Sequence, residues 1–368
     1  MSCTAHLFVA GALAQRTGGY LYDARMVRGL QGLGWTLQVH ELPGTYPLPD
    51  ADDLGIFRQR LQSLPDGTLA VVDGLAGGAQ PALLYAQAAR LRLVALVHHP
   101  LGDETGLPAP ERRRLLQLEA DGLRAPRGVI VTSGFSADRL DALGVRRPRV
   151  RIVEPGVDQP PPRQGPSQVR AADAGPRLLC VGSLTPRKGQ DLLIEALAGL
   201  RARPWQAWLV GSRTRNPGFA AALARRLREL GLSRRIVLTG ELPAVELAAH
   251  LRQADLFVLP SWYEGYGMAL TEALVHGLPV ISTTGGAIPH TLPGDAGLLV
   301  PPGDIAALGQ ALRVFLDHPD RRRHAAERAL AHAATLPDWP TQARRFADAL
   351  TELGALNPLP RRRTEDAD

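Results

Sequence analysis

Short apolar runs, each closed by turn residues and followed by an amphipathic stretch, recur along the whole chain. This is the βαβα rhythm of a parallel sheet covered by helices. In the first half the runs predict strands at 6–10, 36–40, 69–72, 93–97, 129–132 and 150–153. In the second half they predict strands at 177–181, 205–210, 236–239, 256–259 and 279–282. Between the halves, Gln159-Pro160-Pro161-Pro162 and the Gly, Ser and Gln that follow break the periodicity, so 159–176 reads as a linker. The stretch 337–353, with Trp339, Phe346, Leu350 and Leu353, has helical apolar spacing. The expected fold class is therefore α/β, with two Rossmann-like domains facing each other across a cleft at the carboxyl ends of their strands. Their expected extents are 1–158 and 177–337, with the helix at 338–354 returning to the first domain and a charged, disordered tail at 359–368.

The length, 368 residues, fits two domains better than one core. No apolar run reaches the roughly 18 residues that span a bilayer, and the stretch after Met1 lacks the pattern of a signal peptide, so a cytoplasmic location is expected. Cys3 and Cys180 are the only cysteines; Cys180 lies in an apolar strand pattern and reads as a small buried hydrophobe. The formal net charge is +6, but the basic residues are scattered and form no nucleic-acid-binding arm. Acidic small molecules or a membrane surface are better partners. Nearly all of that positive charge is arginine, and Lys188 is the only lysine in the chain. A single lysine among arginines marks a place where a compact ammonium is needed or has simply been retained.

The chemistry concentrates in two strand-to-loop transitions. Over 256–274 an apolar strand runs into Glu264-Gly265-Tyr266-Gly267, and a helix opens near Gly267. Free backbone N–H groups and the positive end of the helix dipole there suit a phosphate, although the two glycines also serve a plain tight turn. Leu270 stands where a dinucleotide fingerprint needs its third glycine. Glu264 and Glu272 flank the turn as acceptors for sugar hydroxyls; alternatively Glu272 is a solvated helix residue, against which stand its apolar neighbours. Upstream, the loop 182–189 carries Arg187 and Lys188, two cations able to meet an anion. Gly189 after Lys188 excludes a Walker loop.

Gly182 to Gly189, then Glu264-Gly265-Tyr266-Gly267 with Glu272 following, then Gly277-Leu278-Pro279-Val280-Ile281, resemble glycosyltransferase family 4, the group 1 glycosyltransferases. Gly18-Gly19, Val153-Glu154-Pro155-Gly156-Val157-Asp158 and Gly285-Gly286 extend the resemblance over most of the chain. It implies the GT-B fold and transfer from a nucleotide-sugar donor, UDP- or GDP-linked, with retention of anomeric configuration and with no obligatory metal or cofactor. It implies that Lys188 holds the diphosphate, Glu264 the donor sugar and Glu272 the ribose. Gly18, Gly19, Gly182, Ser183, Arg187, Gly265, Tyr266, Gly267 and Met268 complete the donor set. His98 matches a histidine beside the transferred sugar, with His99 its rival. Ser183 departs from the arginine that many members carry there, and Arg187 is the substitute charge. With no enzyme nucleophile evident, the expected mechanism is same-face displacement.

Adjacent histidines on a strand end point to different sides, so His98 and His99 make a weak metal site, and no metal is expected. Asp103 and Glu104 read either as acceptor contacts, with His99, or as helix caps. The basic amphipathic stretch 111–127 reads either as a helix over the core or as peripheral contact with an anionic membrane. The acceptor is an unidentified hydroxyl compound. A nucleotide-sugar epimerase of related fold and a non-catalytic nucleotide-sugar-binding protein are the alternatives.

Overall fold

The computed structural model describes residues 3–159 and 175–357. The expected tail at 359–368 and nearly all of the expected linker at 159–176 lie outside the described residues. The chain forms two compact units, one made of the residues up to Glu154 together with those from Trp339 onward, the other of Pro155–Asp338. Each is a Rossmann-like α/β domain.

The first unit has six strands, β1 (Thr4–Ala10), β2 (Thr36–Leu42), β3 (Leu69–Asp73), β4 (Arg92–Val97), β5 (Gly128–Val131) and β6 (Val150–Ile152), in the order β2-β1-β3-β4-β5-β6. All neighbours are parallel. β3 and β5 are buried throughout, and β4 is buried after Arg92, as expected of parallel strands covered on both faces. After β1 the chain crosses to one side to make β2 and then to the other to make β3. The switch point thus lies between β1 and β3, where open α/β sheets bind ligands.

The helix Trp339–Ala355 belongs to this unit and begins two residues later than its apolar spacing predicts. It buries Trp339, Ala343, Phe346, Leu350 and Leu353. Phe346 meets the ring of Tyr22, and Arg127 Nη1 donates to the carbonyls of Gly354 (3.0 Å) and Leu356 (2.8 Å) at the helix end. Leu350 is fully enclosed, so Leu350→Ala leaves a cavity expected to cost about 2–5 kcal/mol, measurable by urea unfolding.

The second unit repeats the plan with β7 (Arg177–Val181), β8 (Gln206–Val210), β9 (Ile236–Gly240), β10 (Leu256–Leu259), β11 (Val280–Thr283) and β12 (Gly297–Val300), in the order β12-β11-β10-β7-β8-β9. Here the switch point lies between β7 and β10. β12 was not anticipated from the pattern: its four residues sit at the sheet edge with Leu298 and Leu299 only half-buried, which makes a weak strand signal.

Candidate active site

In the second unit, the loops that leave β7 and β10 at the switch point supply the charged residues. Lys188 ends a single turn, Pro186–Lys188. Its Nζ donates to Glu264 Oε1 at 2.6 Å, and Ser261 Oγ donates to the same oxygen at 2.6 Å. Arg187 Nη1 donates to the Tyr263 carbonyl (2.9 Å) and stands 3.6 Å from Glu264 Oε2. Burial alone would raise the Glu264 carboxyl, but Lys188 and Arg187 outweigh it and hold the group below its usual range. Burial also draws the Lys188 ammonium down, against the pull of Glu264. Two cations thus meet one carboxylate, and the cluster is left with a positive charge to offer an anion.

The surrounding backbone is held in place by further contacts, those of Gln190 and Ala287 among residues the sequence did not single out. Gln190, buried, donates from Nε2 to the carbonyls of Gly182 (3.2 Å) and Ser183 (3.0 Å). Ala287 N–H donates to the Glu264 carbonyl at 2.8 Å, and Glu264 forms a β-bridge with Gly286. Gly267, left-handed at φ 99°, caps the helix Met268–Val275, whose first turn carries no acidic side chain. Gly265 and Met268 are half-buried, while Tyr266 is buried and its carbonyl accepts from Thr291 Oγ1 at 2.6 Å. Glu272 is half-buried although Ala273, Leu274 and Val275 are buried, because helical rotation puts sequence neighbours on different faces. Its apolar sequence neighbours therefore do not enclose it. Cys180 is buried, which pushes its thiol up to about 12.

In the first unit, Gly18 and Gly19 open the helix Gly18–Gly32 after β1, and His98 follows β4. His98 Nε2 lies 3.1 Å from Asp23 Oδ1 and 3.7 Å from Asp73 Oδ2. A Cβ on Gly19 would stand 3.0 Å from His98 Cδ2, so glycine there leaves room for the imidazole. Tyr22 meets the ring edge-on, and the His98 carbonyl accepts from Thr132 Oγ1 (3.2 Å) and Ser136 Oγ (3.3 Å). Burial would lower the His98 pKa, but the charge and hydrogen bond of Asp23, and then Asp73, raise it to about 9. Burial and Asp23 push the Asp73 carboxyl upward. Asp23, Asp73 and His98 have metal-ligating chemistry, with one ligand atom from each lying within 4.8 Å of the others.

The remaining candidates lie on the next loop. His99 Nε2 is 3.6 Å from Glu104 Oε2, while Asp103 accepts from Arg139 Nε (2.8 Å) and Nη2 (2.6 Å). Glu104 also accepts from Thr105 N–H at 3.0 Å. Buried Glu119, raised to about 8 chiefly by burial, accepts from Leu101 N–H at 2.8 Å and ties down this loop. In the helix Ala109–Gly122, Leu115 faces the core and Arg112–Arg114 are exposed. Among the described residues no helix is long and apolar enough to cross a membrane.

Two family models match the chain: glycosyl transferases group 1 over residues 175–318, and glycosyltransferase family 4 over residues 69–159. The D-inositol 3-phosphate glycosyltransferase of Nocardia farcinica is 33% identical over 255 residues, 66% of this chain and 56% of that protein. The GDP-mannose-dependent α-(1-6)-phosphatidylinositol monomannoside mannosyltransferase of Mycolicibacterium smegmatis is 35% identical over 188 residues, 48% of each. The chain spans about half the length of the curated relatives it matches. Among solved structures, sucrose-phosphate synthase from Thermosynechococcus elongatus has the same fold, with a TM-score of 0.80 at 21% identity over 96% of this chain and 99% of that one. Anabaena HepE, solved in complex with UDP and glucose, gives 0.73 at 18% identity over 95% of this chain and 100% of that one.

Proposed function

Since the chain belongs to the group 1 glycosyltransferases of family 4, we propose that it is an enzyme that transfers a sugar from a nucleotide-diphosphate-sugar to an acceptor hydroxyl, with retention of configuration. The observation that carries this reading is the cluster of Lys188, Arg187 and Glu264 at the switch point of the second unit. Lys188 and Arg187 attract the diphosphate, and the N–H groups of Met268 and its neighbours at the helix start add to them. Glu264, paired and ionised, accepts from the hydroxyls of the donor sugar, and half-exposed Glu272 from those of the ribose. His98 stands beside the transferred sugar.

In the proposed step the bond from the anomeric carbon to the phosphate oxygen breaks, and the acceptor oxygen bonds to the same face of that carbon. The acceptor's proton passes to the departing phosphate oxygen. The protein contributes positioning and stabilisation of charge. A relative named as GDP-mannose-dependent and a structural neighbour solved with UDP support a GDP- or UDP-linked donor.

The test is a thermal-shift screen with UDP, GDP, ADP and CMP and their sugar conjugates, followed by NMR of the product's anomeric proton. One nucleotide family is expected to stabilise the protein, and an α-linked donor to give an α-linked product. Binding without turnover on any acceptor would favour the non-catalytic binding protein, and a changed sugar nucleotide formed without acceptor would favour the epimerase.

A further inference from the structure

The helix Gly18–Gly32 turns Tyr22, Asp23, Met26, Val27 and Leu30 into the core, and the carboxylate among them breaks the apolar pattern. Asp23 is 1% exposed, and among the described residues its Oδ2 has no hydrogen-bond partner and its Oδ1 meets only His98. Burying a carboxylate this way costs stability that an apolar residue would not. What the residue achieves is local to His98. Its Oδ1 lies 3.1 Å from Nε2 and Asp73 Oδ2 lies 3.7 Å from the same nitrogen, and the bare face of Gly19 receives the ring. The ring's other nitrogen, Nδ1, bonds no protein group among the described residues, and the side chain is 20% exposed.

We infer that Asp23, backed by Asp73, is the positioning residue of His98, pinning Nε2 so that the ring turns Nδ1 toward the donor sugar or its departing phosphate. This rests on the reading that puts His98 beside the transferred sugar. It makes His98 a polar contact held in one orientation through the whole cycle, and leaves the acceptor's proton to the phosphate oxygen.

The charged and titratable groups that face the ring are Asp23 and Tyr22 from the helix and Asp73 from the end of β3. The Tyr22 phenol is raised by burial and donates to the Val153 carbonyl at 2.9 Å, so it stays neutral.

The test is Asp23→Asn, which keeps the volume and removes the charge. In that variant kcat is expected to fall roughly 10- to 100-fold, the worth of a charge-assisted hydrogen bond. Stabilisation by the donor nucleotide should be unchanged. In a His98→Asn background, Asp23→Asn should add no further loss. Imidazole nitrogen NMR should show the His98 Nε2 resonance moving in the variant, a readout independent of turnover. Wild-type kcat and an unmoved Nε2 resonance in Asp23→Asn, or an undiminished extra loss in the His98→Asn background, overturns the inference. Wild-type turnover in His98→Asn alone instead removes His98 from the proposed function, while the Nε2 resonance still decides whether Asp23 holds the ring. Should Asp23→Asn not fold, Asp73→Asn, which keeps an acceptor for the Leu75 N–H and stands 3.7 Å from Nε2, should move the resonance and lower kcat by less.

Discussion

In Lys188→Ala, kcat/KM is expected to fall by roughly 10²–10³, and the stabilisation conferred by the donor nucleotide to disappear. Lys188 Nζ is the nearest cation to Glu264, at 2.6 Å, with Arg187 a full ångström farther from the carboxylate. Truncation removes the excess positive charge that draws a diphosphate. It also leaves Glu264, whose side chain is 8% exposed, facing Arg187 alone, so its carboxyl rises toward the neutral form and accepts poorly from sugar hydroxyls. Lys188→Arg should not restore the rate. A planar guanidinium is larger than the ammonium, and the Lys188 stem already packs within 3.4 Å of where a Cβ on Gly182 would stand. Steady-state kinetics and nucleotide thermal shifts on both variants settle the matter, and wild-type kinetics in Lys188→Ala would remove the residue from the mechanism.

Gly286→Ala should have a comparable effect without touching any charged group. Its φ is +62°, where a side chain is strained, and an added Cβ would lie 2.3 Å from the Glu264 carbonyl oxygen. That oxygen accepts from Ala287 N–H, so the clash cannot be relieved without moving the backbone that carries Glu264. The expected cost is about 3 kcal/mol in urea unfolding, with turnover falling alongside. Gly294→Ala, where a Cβ would meet nothing within 4 Å, is the control and should change stability by less than about 0.5 kcal/mol. Equal stability of the two variants would show that the Glu264 backbone is not held as described.

The strands of both sheets were legible because apolar runs closed by turn residues carry the fold of a parallel sheet in local order, and β12 escaped because an edge strand needs so little burial. The motif residues Lys188 and Glu264 could be picked out singly, but not that they would form an ion pair, since nothing local joins positions 76 apart. Asp23 and Asp73 were invisible for the same reason. One sits on a helix face and the other ends β3 opposite Leu96, and only the pairing of β3 with β4 brings Asp73 to His98. Nor does anything local join Asp103 to Arg139, which the fold puts against it. Glu272 shows the reverse: neighbours in sequence suggested an apolar surround that helical rotation removes.

A chain with one lysine has, besides its terminal amine, a single ε-amine, and here that amine lies against Glu264 at the centre of the cluster. Amine-selective acylation therefore becomes a footprint of the site itself. Each molecule can be modified once along its side chains, slowly while the ion pair holds and more slowly still with a diphosphate in place. By the same token, immobilising the protein through lysine would couple it to a surface by the group that the site most needs.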